Sequence, residues 1–281
     1  MKNFAVRLAN CSPSRRRERA GVRTGVRVLA ASLLSTALYA APAHADDANL
    51  PAVVPYRPSV STPATLTAPG WLEVEAGVQR SRDDGSRRDS LPYTLKLAFT
   101  PDWGIRIGGD AAVREVDATG FSRSGFGDTT FVIKRRFAID DASAFGLEGS
   151  ANFATARDGL GSGHNDYGIN GIFSSDFAPD WHLDVNVNAT RMGDGGPGLS
   201  RLQTGWAFAV SRTLSEKWGV GGELSGTHRS GSATTSQLLA AVSYSVSPQL
   251  VFDAGVAHGL NRASGNWTFM AGVTFLAGRL F

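Results

Sequence analysis

Apolar and polar side chains alternate with a period of two along most of the chain, from residue 71 to residue 281. The alternation is clearest at 181–190, WHLDVNVNAT, where every odd-numbered residue is apolar and every even-numbered residue is polar or charged. Successive side chains of a β-strand point to opposite faces, so each such segment is predicted to be a strand with one apolar and one polar face. The fold must therefore cover a large apolar surface on one side of its sheet.

Turn residues divide the alternating region into twelve predicted strands. Their approximate ranges are 71–80, 91–99, 103–114, 127–137, 144–155, 166–177, 181–191, 201–214, 218–228, 236–246, 250–260 and 266–281. Short turns such as Pro101-Asp102 and Pro179-Asp180 alternate with connections that are mostly longer and polar, such as SRDDGSRRDS (81–90) and ARDGLGSGHN (156–165). Outer-membrane barrels have this arrangement, with short turns in the periplasm and longer loops outside the cell.

A secreted β-sandwich would show the same alternation, because its apolar faces are buried between two sheets. The even strand count, the alternating connections, the tryptophans beside short turns and the terminal Phe281 favour a barrel instead. Closure also pairs every strand edge, which strands require in hydrocarbon. We therefore predict an all-β fold over residues 71–281, a transmembrane antiparallel up-and-down β-barrel of about twelve strands. We expect it in the bacterial outer membrane, with both termini in the periplasm.

Three tryptophans open strands directly after short turns. FTPDWGI (99–105) and FAPDWHL (177–183) share an aromatic residue, a Pro-Asp turn and a tryptophan. We predict that Trp103, Trp181 and Trp218, together with Phe281, belong to an aromatic girdle at the periplasmic interface with membrane lipid. The C-terminal strand that ends at Phe281 is expected to be the signal recognised by the barrel-assembly machinery.

Residues 1–45 have the pattern of a signal peptide. Several arginines precede the apolar run VLAASLLSTALYAA, and Ala43-His44-Ala45 is a small-x-small cleavage motif. Cleavage after Ala45 would remove eight of the 28 basic residues and one of the 25 acidic ones, which leaves a formal charge of −4. It would also remove Cys11, the only cysteine. A nucleic-acid partner, a disulfide and a lipid anchor are therefore not expected of the mature protein.

Residues 46–70 contain five prolines and little periodicity. This composition predicts an extended N-terminal extension rather than a domain. Such an extension could enter the barrel as a plug or hang in the periplasm, and we favour the periplasmic position.

The alternation places eleven charged residues on the polar face, which in a barrel lines the lumen. They are Glu73, Glu75, Lys96, Arg106, Asp110, Lys134, Arg136, Glu148, Asp184, Glu223 and Asp253. These charges could form a polar path that selects solutes, or a salt-bridged filling that makes the barrel rigid. A twelve-stranded lumen is intermediate in width between filled and open barrels, so the sequence leaves both alternatives open.

One pair of residues suggests a hydrolase as an alternative. His228 and Ser230 are spaced like the His-x-Ser pair that outer-membrane phospholipase A uses on its outer face, where imidazole can deprotonate the hydroxyl. Ser230 lies in a Ser-Gly-Ser-Ala loop, however, and no motif supplies an asparagine to orient the histidine. We therefore expect no enzymatic activity, and no histidine spacing or glycine-rich motif indicates a metal or a cofactor.

The sequence resembles the outer-membrane family labelled "meta-pathway of phenol degradation", whose members are described as outer-membrane transporters. The residues that carry the resemblance are Arg57-Pro58, PGWLEVEAG (69–77), GFGDTTFVIKRRF (125–137) and LVFDAGVAHGLN (250–261). The resemblance covers nearly the whole mature chain and implies a barrel that takes up aromatic or other small hydrophobic compounds. It implies no catalytic or binding residue.

The expected function is passive or facilitated diffusion of small, hydrophobic or aromatic molecules across the outer membrane, without a cofactor. The expected partners are membrane lipid, the assembly machinery and a small solute. A lipid-active hydrolase and a structural or adhesive barrel are the alternatives.

Overall fold

The computed structural model describes residues 50–157 and 159–281. The predicted signal peptide, 1–45, and residues 46–49 lie outside this part of the chain. In the described residues no helix has the length and hydropathy needed to cross a membrane.

Thirteen strands form one antiparallel sheet. They are β1 (Trp71–Asp83), β2 (Ser86–Ala98), β3 (Trp103–Val116), β4 (Ser122–Gly125), β5 (Thr129–Ala138), β6 (Ser143–Phe153), β7 (Asp166–Ala178), β8 (Trp181–Arg191), β9 (Leu202–Thr213), β10 (Trp218–Arg229), β11 (Thr235–Ser247), β12 (Leu250–Gly259) and β13 (Trp267–Arg279). Consecutive strands pair around the sheet, β1 pairs with β13, and β3 pairs with both β2 and β5. The sheet therefore closes, and the predicted all-β barrel of twelve strands is confirmed, with β4 as one additional short strand.

Two connections on the long-loop side differ from the sequence prediction. The predicted loop at 81–90 is wrong, because β1 and β2 continue to a two-residue turn at Asp84-Gly85. Both turn residues have positive φ, 30° and 86°, which a two-residue hairpin of primed type requires and which Asp-Gly adopts readily. The connection after β3 folds back as β4, which pairs with the end of β3.

The two faces of the barrel are inverted relative to a water-soluble protein. Val187 on the outer face is 62% exposed, whereas Glu73 on the inner face is completely buried. The outward side chains also include Phe131, Leu147 and Phe208, each more than a third exposed. A continuous apolar exterior of this kind requires an apolar environment, which lipid supplies.

The short turns lie at one end of the barrel, together with Gly70 and the C-terminus, since Leu280 N–H donates to Gly70 O at 2.7 Å. Trp103, Trp181 and Trp218 open β3, β8 and β10 at this end and are 37–49% exposed. The guanidinium of Arg212 lies 5.2 Å from the ring centre of Trp181. The outward positions suit the predicted aromatic girdle, whose depth in a membrane stays a prediction.

Candidate functional site: the filled lumen

Residues 50–69 run inside the barrel, and we call them the lumen segment. The segment enters at the short-turn end, where Val53 N–H donates to Pro248 O at 2.9 Å. It turns near Val60, which lines an inner cavity with Asn188 and Thr227, and it returns to Ala98 at the end of β2. The periplasmic position that the sequence favoured therefore differs from the structure. The physical reason is that buried carboxylates on the inner face accept hydrogen bonds from the backbone of this segment.

A triad of charges on β1 and β2 holds both ends of the segment. Lys96 Nζ lies 2.5 Å from Glu73 Oε1 and 2.5 Å from Glu75 Oε1, and all three side chains are at most 3% exposed. Glu73 Oε2 accepts hydrogen bonds from Val54 N–H at 3.0 Å and from the Thr67 hydroxyl at 2.7 Å. The outgoing and returning limbs are thereby fixed to the same carboxylate.

Tyr56 lies at the centre of the cationic side chains. Its ring centre is 4.0 Å from Lys96 Nζ, 4.7 Å from Lys134 Nζ and 5.3 Å from the Arg106 guanidinium carbon. The Tyr56 hydroxyl accepts a hydrogen bond from Lys134 at 3.1 Å and donates to Thr65 O at 2.9 Å. The ring face stabilises these cations through its quadrupole in a site from which water is largely excluded.

Glu148 on β6 pairs with two of these three cations, Lys134 and Arg106. Its carboxylate lies 3.5 Å from Lys134 Nζ and 3.6 Å from the Arg106 guanidinium. It also accepts a hydrogen bond from Asn170 Nδ2 at 3.1 Å. Buried charges of both signs are thus paired, as their desolvation requires.

Glu223 on β10 binds the tip of the segment. Its Oε2 atom accepts hydrogen bonds from Val60 N–H at 2.9 Å, from Ser61 N–H at 2.8 Å and from the Ser59 hydroxyl. Asn186 on β8 makes two bonds to the next residue, because it accepts from Thr62 N–H and donates to Thr62 O, each at 3.0 Å. These contacts fix the turn of the segment inside the lumen.

Arg57 reaches the wall formed by β12, β13 and β1, where its Nε lies 3.6 Å from Asp253 Oδ2. Two glycines make room for it. A Cβ on Gly77 would lie 2.5 Å from Arg57 Nη2, and a Cβ on Gly272 would lie 2.5 Å from Arg57 Nε. The wall is therefore shaped around this side chain.

All eleven predicted lumen residues face inward, and eight contact the lumen segment directly. The other three are Asp110, which pairs with Arg88 at 3.0 Å, Arg136, which pairs with Asp102 at 4.0 Å, and Asp184, which accepts from Ser174. Sequence reasoning assigned no place in the lumen to Tyr56, Arg57 or Arg88. The first two were hidden in a segment without periodicity, and Arg88 lay in the connection taken for a loop.

The structure gives His228 and Ser230 separate partners. His228 is exposed, and its Nδ1 lies 3.0 Å from the Thr234 hydroxyl. The backbone carbonyl of Ser230 accepts a hydrogen bond from Ser200 N–H at 2.9 Å. The described residues also contain no group of three or more side chains arranged to hold a metal ion.

The barrel wall is interrupted between β1 and β2. Their pairing runs from Leu72 to Ala76 and resumes only at Gln79, opposite a bulge at Ser90–Pro92. Pro92 has no backbone N–H to donate to a neighbouring strand.

A cavity of about 810 Å³ lies at this interruption. Its lining includes inward side chains such as Gln79 and Val113 and outward ones such as Val78, Leu91 and Phe269. The cavity is therefore bordered by residues from both faces of the wall, and most of its lining surface is carbon, although Arg80, Arg82, Asp89 and Arg114 also line it.

The family model described as "Putative MetA-pathway of phenol degradation" matches residues 56–277, which is well over half of the chain. The chain belongs to this family. The resemblance inferred from the sequence is therefore confirmed, and the family match includes residues 56–69 of the lumen segment. No curated protein matches the chain significantly by sequence.

Solved structures share the fold. An outer-membrane channel from Pseudomonas putida F1 is similar with a TM-score of 0.61 and 12% identity, covering 76% of this chain and 97% of that one. The NanC porin gives a TM-score of 0.53 at 11% identity, covering 73% and 98%. The KdgM porin in complex with disordered oligogalacturonate gives 0.50 at 11% identity, covering 72% and 98%. At these identities the likeness establishes the fold alone.

The charge triad yields a stability prediction. In Lys96→Met, the two buried carboxylates of Glu73 and Glu75 lose their shared cation, so the free energy of unfolding should fall by about 3 to 5 kcal/mol. Urea unfolding of the purified barrel, followed by its heat-modifiable gel mobility, measures this change. Lys217→Met in an exposed short turn is the control and should have almost no effect. Equal stability of the two variants would contradict the account.

Proposed function

We propose that this protein is an outer-membrane channel through which small hydrophobic or aromatic compounds diffuse. The apolar exterior, the closed barrel, the family's connection with phenol degradation and the shared fold with channels and porins support this function. The observation that carries it is the wall cavity, because it offers an apolar compound a route that the charged lumen does not.

The lumen segment makes the polar interior a poor path for solutes. Eight of the eleven inner charges contact it, and Lys96, Lys134 and Glu148 are nearly inaccessible to solvent. Of the two alternatives that the sequence left open, these contacts favour a salt-bridged filling over an open selective pore.

The wall cavity suits apolar solutes instead. Val78, Leu91 and Phe269 present carbon surface toward the lipid, and Val113 continues that surface inward. A solute that reaches the cavity from the long-loop side could leave sideways into the bilayer without crossing the buried charges. Neither a hydrolase nor an adhesive barrel is favoured by any contact of the described residues.

Blocking the wall cavity should stop transport. Ala112 lines the cavity and is exposed, so Ala112→Trp should fill it without disturbing the barrel interior. Uptake of the apolar dye phenylnaphthylamine by cells with an intact outer membrane should fall to the rate of cells without the protein. Ala111→Trp places the same bulk on an exposed neighbour that does not line the cavity and should preserve uptake. Equal uptake by both variants would exclude the wall route.

Removing the lumen segment should open the barrel interior to ions. Excision of residues 52–66 deletes the backbone donors that the segment supplies to Glu73, Glu75 and Glu223, and water should fill the freed space. Planar-bilayer recordings should then show steady ion currents that the intact protein lacks. Excision of residues 194–198, in a connection on the long-loop side, is the control. Identical currents from all three proteins would show that the segment does not close the lumen.

The N-terminal segment is expected to direct export, and the C-terminal strand is expected to direct assembly. We propose that cleavage after Ala45 releases a mature protein that begins at Asp46, and that the aromatic C-terminus directs insertion. Intact mass measurement tests the cleavage site.

Deletion of Phe281 should lower the amount of heat-modifiable barrel in membranes several-fold, whereas Phe281→Tyr should preserve it. Normal assembly after the deletion would exclude this role.

A further inference from the structure

Four arginines and one aspartate form a patch on the outer face of β1, β2 and β3. We call it the arginine patch, and its members are Arg80, Arg82, Arg87, Asp89 and Arg114. Arg80 and Arg82 continue the outward alternation of Val78, and cross-strand pairing places Asp89 between Arg80 and Arg114. Arg80, Arg82 and Arg114 are exposed. The patch lies near the Asp84-Gly85 turn, at the long-loop end of the barrel.

The charges of this patch do not balance. Asp89 lies 2.5 Å from Arg80 Nε and 3.1 Å from Arg87 Nε, so a single carboxylate is shared by two guanidinium groups. Arg82 is paired directly across the strands with Arg87. Like charges in directly opposed positions destabilise a sheet unless an anion lies between them. The patch therefore has three more positive charges than negative ones. Its guanidinium groups have hydrogen-bond donors available for an anion.

The surface next to the patch identifies the kind of anion. Val78, Leu91 and Phe269 lie directly below it on the outer face and are 55%, 44% and 49% exposed. An anion bound here would have apolar side chains on the side toward the middle of the barrel and the long loops on the side toward the barrel end. A lipid headgroup with attached acyl chains fits this boundary, whereas a small hydrophilic anion would use only the upper half.

We propose that the arginine patch binds the phosphate groups of an outer-leaflet glycolipid, whose acyl chains lie along Val78, Leu91 and Phe269. This inference rests on the proposed outer-membrane location. Guanidinium groups bind phosphate through paired, charge-assisted hydrogen bonds, which a lysine cannot make with the same geometry. Arg80, Arg82 and Arg114 also line the wall cavity, so the bound lipid would lie at its rim.

Binding of lipid A to the detergent-solubilised full-length barrel tests the proposal. Native mass spectrometry should detect a complex with diphosphorylated lipid A, and much less with the same lipid after removal of both phosphates. Arg82→Gln combined with Arg114→Gln should weaken binding about a hundredfold, since each lost charge-assisted bond is worth about tenfold in affinity. Neither residue contacts the lumen segment, so folding should be preserved, and heat-modifiable mobility verifies this.

Arg191→Gln is the matched control. Arg191 ends β8 at the same end of the barrel, is exposed and follows the outward alternation, but it has no arginine paired beside it. Its variant should bind lipid A as the parent does. Equal weakening by the control, equal binding of the dephosphorylated lipid, or displacement by inorganic phosphate at the same concentration would overturn the proposal.

Failure of this proposal is distinguishable from failure of the channel. The binding measurement needs no transport, because it compares phosphorylated with dephosphorylated lipid A on the parent protein. Loss of dye uptake in Ala112→Trp, without any preference for phosphorylated lipid A, would leave the channel supported and the lipid site refuted. Phosphate-dependent binding without dye uptake would support the lipid site and refute the channel.

Discussion

Charged side chains buried on the inner face of the barrel need partners, and this requirement determines the interior. Seven of the eleven predicted lumen charges are less than 9% exposed. An unpaired buried charge is strongly destabilising, and the structure surrounds Lys96 with carboxylates and Glu223 with backbone amides and a hydroxyl. The lumen segment supplies most of the missing donors, and the glycines at 77 and 272 provide space for Arg57.

The same arrangement separates two possible routes for a solute. The interior combines buried charges with a backbone that donates to Glu73, Glu75 and Glu223, so a polar molecule would have to displace the lumen segment from these carboxylates. The wall cavity has the opposite character, since it lies where Pro92 and a bulge interrupt strand pairing and its surface is carbon-rich. In the proposed function, the charged filling stabilises the barrel and the irregular wall gives an apolar solute its route.

The fold was predictable from the sequence because a period of two determines which side chain faces which side. That rule assigns Glu73, Lys96 and Asp253 to the inner face and the tryptophans to the outer one. It could not place residues 50–69, because a proline-rich segment is extended in water and in a lumen alike, and its partners lie up to 214 positions away in the sequence. The Asp84-Gly85 turn was missed because charged residues on strands near a membrane surface resemble those of a solvated loop.

Hydrogen exchange of residues 50–69 tests the central claim that the lumen segment is held by buried charges. Mass spectrometry of the folded protein in detergent should find the amides of Tyr56, Val60 and Ser61 protected about as strongly as those of β1, because each donates to a buried carboxylate. Exchange of these amides within seconds, while the strands remain protected, would show that the segment lies outside the lumen and would contradict the account.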